Sequence, residues 1–188
     1  MDVDVAWDII ERVLHDQLPA VSATLRAPVS DDDLDRLSDT VGQPLPEDFV
    51  ASLRRHDGQN NPTGLLDLYD HLTLLSVEAM IEQADMLVDA LGDDLDSEDY
   101  SWMTPDKVRT IPHCRGWLQF TAAETDGYAL DLDPLPAGDR GQVIWLPIDG
   151  PTPEPEFGSY GAWLSAYAEK LDAGQFTIDD DQGLWLDH

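Results

Sequence analysis

Leu45-Pro46-Glu47-Asp48-Phe49-Val50-Ala51-Ser52-Leu53-Arg54-Arg55-His56-Asp57-Gly58-Gln59 is the stretch on which the reading of this chain turns. Pro46 is placed to start a helix, because proline at the first helical position forfeits no needed hydrogen bond. Phe49, Val50 and Leu53 then fall on one face at helical spacing. Gly58 is placed to end that helix in a left-handed cap. Upstream, Gly42 closes an earlier helix that opens at Ser30, a good N-cap, with Leu34, Leu37 and Val41 as its apolar face. Asp31, Asp32 and Asp33 follow the cap, where carboxylates meet the positive end of the helix dipole. The triplet therefore reads as helix-start electrostatics rather than as a metal site.

Outward toward the N-terminus, Trp7, Ile10, Leu14 and Leu18 recur at near-helical spacing, and Pro19 stops the run. In the other direction, 59–70 reads as a loop and Leu72 to Leu75 as a short strand. Ser76 then opens a helix whose buried side is Met80, Ile81, Ala84, Leu87, Val88 and Leu91, ending at Gly92. Residues 92–106 lack periodicity and read as an exposed acidic loop. The remainder is β-rich. Trp117 to Phe120 is one strand, and Tyr128, Leu130 and Leu132 alternate with Ala129, Asp131 and Asp133 in a second that Pro134 terminates. Gln142 to Leu146 is a third, apolar enough to be central. After a proline-rich loop, Ser159 caps a helix carrying Trp163, Leu164, Tyr167 and Leu171, with Gly174 behind it. Phe176 and Ile178 suggest a last short strand. Helices precede strands, which predicts an α+β fold with a largely antiparallel sheet. The expected organisation is one domain over 1–188, its core about 7–178, with an acidic tail over 179–188 containing Trp185.

Composition narrows the function. The 188 residues carry 10 Lys+Arg against 39 Asp+Glu, a formal charge of −29, and 30 of the acids are aspartate. Nucleic-acid binding needs cations facing phosphates, which two Lys and eight Arg cannot supply against this background. Apolar residues at 42% and six Trp provide a core and argue against disorder. Cys114 is the single cysteine, so no intramolecular disulfide forms. The N-terminus is acidic with no apolar signal region, and no apolar run reaches the roughly 20 residues of a membrane helix. A cytoplasmic protein of a reducing compartment is expected. The acidity itself has two readings: a solvated or salt-adapted surface, or a field that steers in a basic partner.

Reactive constellations are missing from the pattern. His15, His56, His71, His113 and His188 form neither an HExxH nor an i, i+4 pair. Adjacent His113 and Cys114 would rarely point at one ion. Asp131-Leu132-Asp133 and Asp179-Asp180-Asp181-Gln182-Gly183 fall short of EF-hand spacing and read as solvated turns. His56-Asp57 reads as a helix stop rather than a metal dyad. With no Gly-x-Ser-x-Gly elbow and no phosphate loop, no catalytic residue, metal ligand or cofactor is assigned, and the expectation is a binding protein rather than an enzyme.

The segment 45–59 resembles the signature of the SUKH superfamily, which includes the Smi/Knr family of fungal cell-wall-assembly regulators and many bacterial immunity proteins. Gly127-Tyr128-Ala129-Leu130-Asp131-Leu132-Asp133-Pro134, then Gly138 and Gly141 to Ile144, is similar to that family's strand-turn-strand. The helix from Ser159 to Leu171 with Gly174 and Phe176 resembles its C-terminal end, and Trp7 lies where an early Trp is common. Ser38, where relatives often carry Glu, and residues 92–110 depart from the pattern. The resemblance implies a SUKH-like domain, with N-terminal helices packed on the sheet and a C-terminal helix, acting through a protein partner. It also implies immunity against a toxin, with a general scaffold in cell-wall or signalling regulation as the alternative. A basic toxin domain fits the charge. The expected contacts are Asp93, Asp94, Asp96, Glu98 and Asp99 of the acidic loop.

Overall fold

Capping and apolar spacing set the helices. The computed structural model describes residues 1–91, 106–123, 126–147, 151–152, 154–179 and 183–187. Helix α1 (Val3–Gln17) starts where Asp2 accepts the Asp4 N–H and buries Val3, Ala6, Trp7, Ile10, Val13 and Leu14. A short α2 (Pro19–Ser22) follows directly. Helix α3 (Asp31–Val41) begins as predicted, with the Ser30 hydroxyl accepting the Asp33 N–H at 3.1 Å, and ends at left-handed Gly42. Helix α4 (Glu47–Leu53) has Pro46 at its N-cap, one position earlier than expected, and buries Phe49, Ser52 and Leu53. Helices α5 (Val77–Leu91) and α6 (Tyr160–Asp172) complete the set. α1 lies against α6, and α3 against α5.

The sheets are small and antiparallel throughout. β2 (Trp117–Gln119), β4 (Gly127–Asp131) and β5 (Gln142–Leu146) form one in the order β2-β4-β5. Two residues missed in the sequence, Thr121–Ala122, form β3 and pair with β1 (Thr73–Leu74). Phe120 joins the two sheets: its N–H donates to the Tyr128 carbonyl (3.0 Å) and its carbonyl accepts the Leu75 N–H (2.9 Å). The strand thus changes partner at a single residue. Gly127 permits the close approach, since a Cβ there would lie 1.9 Å from the Thr121 carbonyl oxygen.

Three expectations change. β5 is not the central strand; β4 is. β5 is apolar because both its faces are covered and its free edge is bridged by Phe157, whose carbonyl accepts the Val143 N–H at 2.8 Å. The alternation along β4 is correct, but its second face is not wet. Val108, Ile111 and Cys114 cover it, forming a small apolar cluster with Trp117, Ala129, Ile144 and Leu146. Leu130 and Val143 face the main core instead. Asp131 is consequently fully buried rather than part of a solvated turn. Finally, residues 183–187 do not trail away. β7 (Leu184–Leu186) pairs with β6 (Phe176–Ile178), and Leu184 and Leu186 enter the main core.

Candidate functional site

Most polar side chains of the 45–59 segment bind groups elsewhere in the fold. Asp48 accepts the Gly161 N–H at the start of α6 (2.8 Å). The buried Ser52 hydroxyl accepts the Trp7 indole N–H at 2.8 Å and lies 2.8 Å from the Tyr160 hydroxyl, so one oxygen joins α1, α4 and α6. Arg55 donates to Glu11 (2.7 Å) and Asp8 (2.9 Å) on α1, and those carboxylates hold its guanidinium all the more firmly charged. The His56 ring nitrogens both face acceptors, the Arg26 carbonyl at 2.9 Å and the Glu11 carboxylate at 3.0 Å.

Asp57 accepts the Val77 N–H at the start of α5 (2.7 Å) and pairs with Arg26 (3.3 Å). Burial still pushes its carboxyl above the usual range, against the pull of Val77 and Arg26. Gln59 accepts from the Leu68 and Leu74 N–H groups and donates to Thr24 and the Leu66 carbonyl. Gly58 does not cap the helix, which stops at Leu53. Its left-handed φ (+66°) lets the chain pass the Leu75 backbone, where a Cβ would sit 2.4 Å from the carbonyl.

This arrangement braces the fold. A nucleophile needs a base within reach and a free approach. Ser52 is buried between Trp7 and Tyr160, and both nitrogens of His56 are engaged elsewhere. Among the described residues, no three His, Cys, Asp or Glu side chains are placed to hold a metal ion. Cys114 is buried in the small apolar cluster, and burial lowers the pKa of the neighbouring His113 imidazole.

Asp131 is a structural carboxyl. It accepts the Asp133 N–H (3.1 Å) and the Gln142 amide (2.9 Å), while Gln142 also accepts from Asp139 and donates to the Lys107 carbonyl. Burial pushes the Asp131 carboxyl up to about 6, and the Gln142 and Asp133 donors oppose that shift.

The exterior is different. On the outward side of α4, Leu45, Val50 and Ala51 floor an open groove of about 410 Å³ rimmed by Asp4, Glu47, Arg54 and Arg55. The Lys and Arg residues are tied to the chain's own groups. Arg12, Arg26, Arg36, Arg54, Arg55, Lys107 and Arg109 pair with carboxylates, and Arg140 and Lys170 donate to backbone carbonyls. The surplus acid defines the field that reaches solvent. The loop contacts expected at Asp93, Asp94, Asp96, Glu98 and Asp99 lie outside the described residues. No helix of the described residues is long and apolar enough to cross a membrane.

A braced α+β interior under a strongly acidic exterior defines the class of domain. The chain belongs to the SMI1 / KNR4 family (SUKH-1), whose model matches residues 28–166. It is 27% identical to the cell wall biosynthesis/cell cycle regulator smi1 of Schizosaccharomyces pombe, over 95% of this chain and 38% of the relative. It is 24% identical to a glucan synthesis regulatory protein of Neurospora crassa, over 94% of this chain and 40% of the relative. Against the cell wall assembly regulator SMI1 of Saccharomyces cerevisiae, identity is 23% over 94% of this chain and 42% of the relative. The chain thus spans about two fifths of the length of these curated relatives.

Proposed function

We propose that this chain is a protein-binding module of cell-wall regulation that acts by occupying a partner's surface and performs no chemistry itself. The observation that carries this reading is the division of charge. The cations are engaged within the chain while the total stands at −29, so an approaching molecule meets carboxylates. Such a field selects a basic partner and accelerates encounter. The relatives named as cell-wall regulators support the regulatory context over neutralisation of a toxin, the other function the acidity fits. The acidic stretch with Asp93, Asp94, Asp96, Glu98 and Asp99 is the proposed contact region.

A chimera tests the reading. The matching region of the fission-yeast regulator is replaced by this chain, and growth is scored under cell-wall stress. Rescue supports the regulatory module. No rescue from a folded, expressed chimera, together with survival conferred against a toxin encoded beside this chain, moves the function to immunity. Replacing Asp93 and Asp94 by Ser in the rescuing chimera is expected to weaken rescue without lowering the melting temperature of the domain.

A further inference from the structure

Trp185 is the one aromatic among the large apolar side chains that the described residues leave exposed, at 43%. The β6–β7 register places it opposite Thr177 on the outer face, while its neighbours Leu184 and Leu186 point into the core. Two contacts fix the indole without hiding it. Its N–H donates to Asp179 at 3.0 Å, and its ring packs against His71 with centroids 5.5 Å apart. His71 comes from a tight turn between Tyr69 and Leu72, in which Asp70 (φ 43°) and His71 (φ 60°) are both left-handed. Side-chain-bearing residues adopt that conformation at a cost, and it persists where the surroundings enforce it. Here Asp70 accepts the Leu186 N–H at 3.3 Å, which ties the turn to the hairpin.

We propose that the outer face of Trp185 is a docking platform for a cationic segment of a partner protein, with a guanidinium or ammonium group stacked on the indole. This rests on the binding-module reading and names the surface and the chemistry. The indole N–H is already engaged, so the π face is what remains open, and its negative quadrupole attracts cations. Asp179 and Asp187 follow directly on the last residues of β6 and β7, and both are exposed. Lys170, which donates to the Asp187 carbonyl at 3.0 Å, is the cation bordering the hairpin. A purely apolar occupant would desolvate the exposed Asp187 carboxylate without pairing it, and an anion would oppose the net charge. An oriented, partly exposed Trp with a polar rim has the anatomy of a binding hot spot. The hairpin lies beyond residues 28–166, which the family model matches.

The test is the affinity of the full chain for a fluorescent arginine-rich dodecapeptide, read by anisotropy at fixed ionic strength. Trp185→Ala is expected to weaken binding about tenfold and Trp185→Phe about threefold, because phenyl is the weaker cation acceptor. Asp35→Asn with Asp39→Asn, which removes two exposed charges from α3, serves as the electrostatic control, with an expected loss under about twofold. A cooperative melting transition above the assay temperature establishes that each variant is folded. Equal binding by wild type and Trp185→Ala overturns the platform, and so does a charge control that loses as much as Trp185→Ala. Failure of the chimera with Trp185-dependent peptide binding retained removes the regulatory reading alone. A rescuing chimera with Trp185 neutral in both assays removes the platform alone.

Discussion

Segment 45–59 and the hairpin from Phe176 to Asp187 are both rich in polar groups and use them in opposite directions. In the first, Asp48, Ser52, Arg55, His56, Asp57 and Gln59 each engage another element of the chain. In the second, Asp179 holds local backbone and one indole in place, with Asp70 of the neighbouring turn accepting the Leu186 N–H, and that indole stays at the surface. The contrast teaches that a sequence signature and an interaction surface need not coincide. A segment that braces four elements is constrained by all of them, while the hairpin is anchored to the core through two leucines.

The largest expected effect tests the brace. Gly58→Ala places a methyl group 2.4 Å from the Leu75 backbone at a left-handed φ, so neither side chain nor rotamer can relieve it. A loss of about 4 kcal/mol or more is expected in urea unfolding; a loss below about 1 kcal/mol would mean that the 58–75 crossing is loose. Ser52→Ala comes next. It strips the Trp7 indole and the Tyr160 hydroxyl of a shared buried partner, and about 2–3 kcal/mol should disappear from the same measurement.

Asp131→Asn sharpens the comparison through pH. The folded carboxyl, at about 6, lies above its ordinary value of 3.8, so folding favours its protonated form. Its contribution is fully present below about pH 3.8 and is lost as pH rises through about 6, amounting to about 3 kcal/mol across that window. Stability of the wild type relative to Asp131→Asn should therefore fall between pH 4 and pH 7. A difference that stays constant with pH would show that the carboxyl is solvated. The smallest effect belongs to the hairpin: Trp185→Ala loses the Asp179 hydrogen bond and the His71 contact at a side chain still 43% exposed, and should cost about 1 kcal/mol. A shift as large as that of Ser52→Ala would make Trp185 part of the brace and erase the distinction.

Local chemistry was legible where it acts within a few residues. The Ser30 cap, the stop at Pro19, the Gly42 terminus and the α6 face all follow from near-neighbour spacing, and the structure reproduces them; of the expected α5 face, Met80 and Ile81 are buried, Ala84, Leu87 and Val88 are half-buried, and the Leu91 side chain lies outside the described residues. What escaped depends on distant segments. The burial of Asp131 follows from Val108, Ile111 and Cys114 lying over β4, and nothing in the alternation of 128–133 announces that cover. Gly58 advertises a left-handed residue but not the Leu75 backbone it must pass. β3 is two residues long, too short for a period to register. The pairing of β7 was masked by a run of aspartates, although Leu184 and Leu186 flanking Trp185 carry the alternation that could have revealed it. Trp185 was visible as an aromatic in an acidic stretch. Its orientation against His71 was not, because that contact joins residues more than a hundred positions apart.

One consequence concerns how the molecule opens. β4 has a strand on each side and an apolar layer above and below, so its amides are shielded in every direction. Fraying at an end or a loop opening cannot bring deuterium to Leu130; only dismantling the whole assembly can. The exchange rate at that one position therefore measures the global unfolding equilibrium, whichever surface a partner happens to hold.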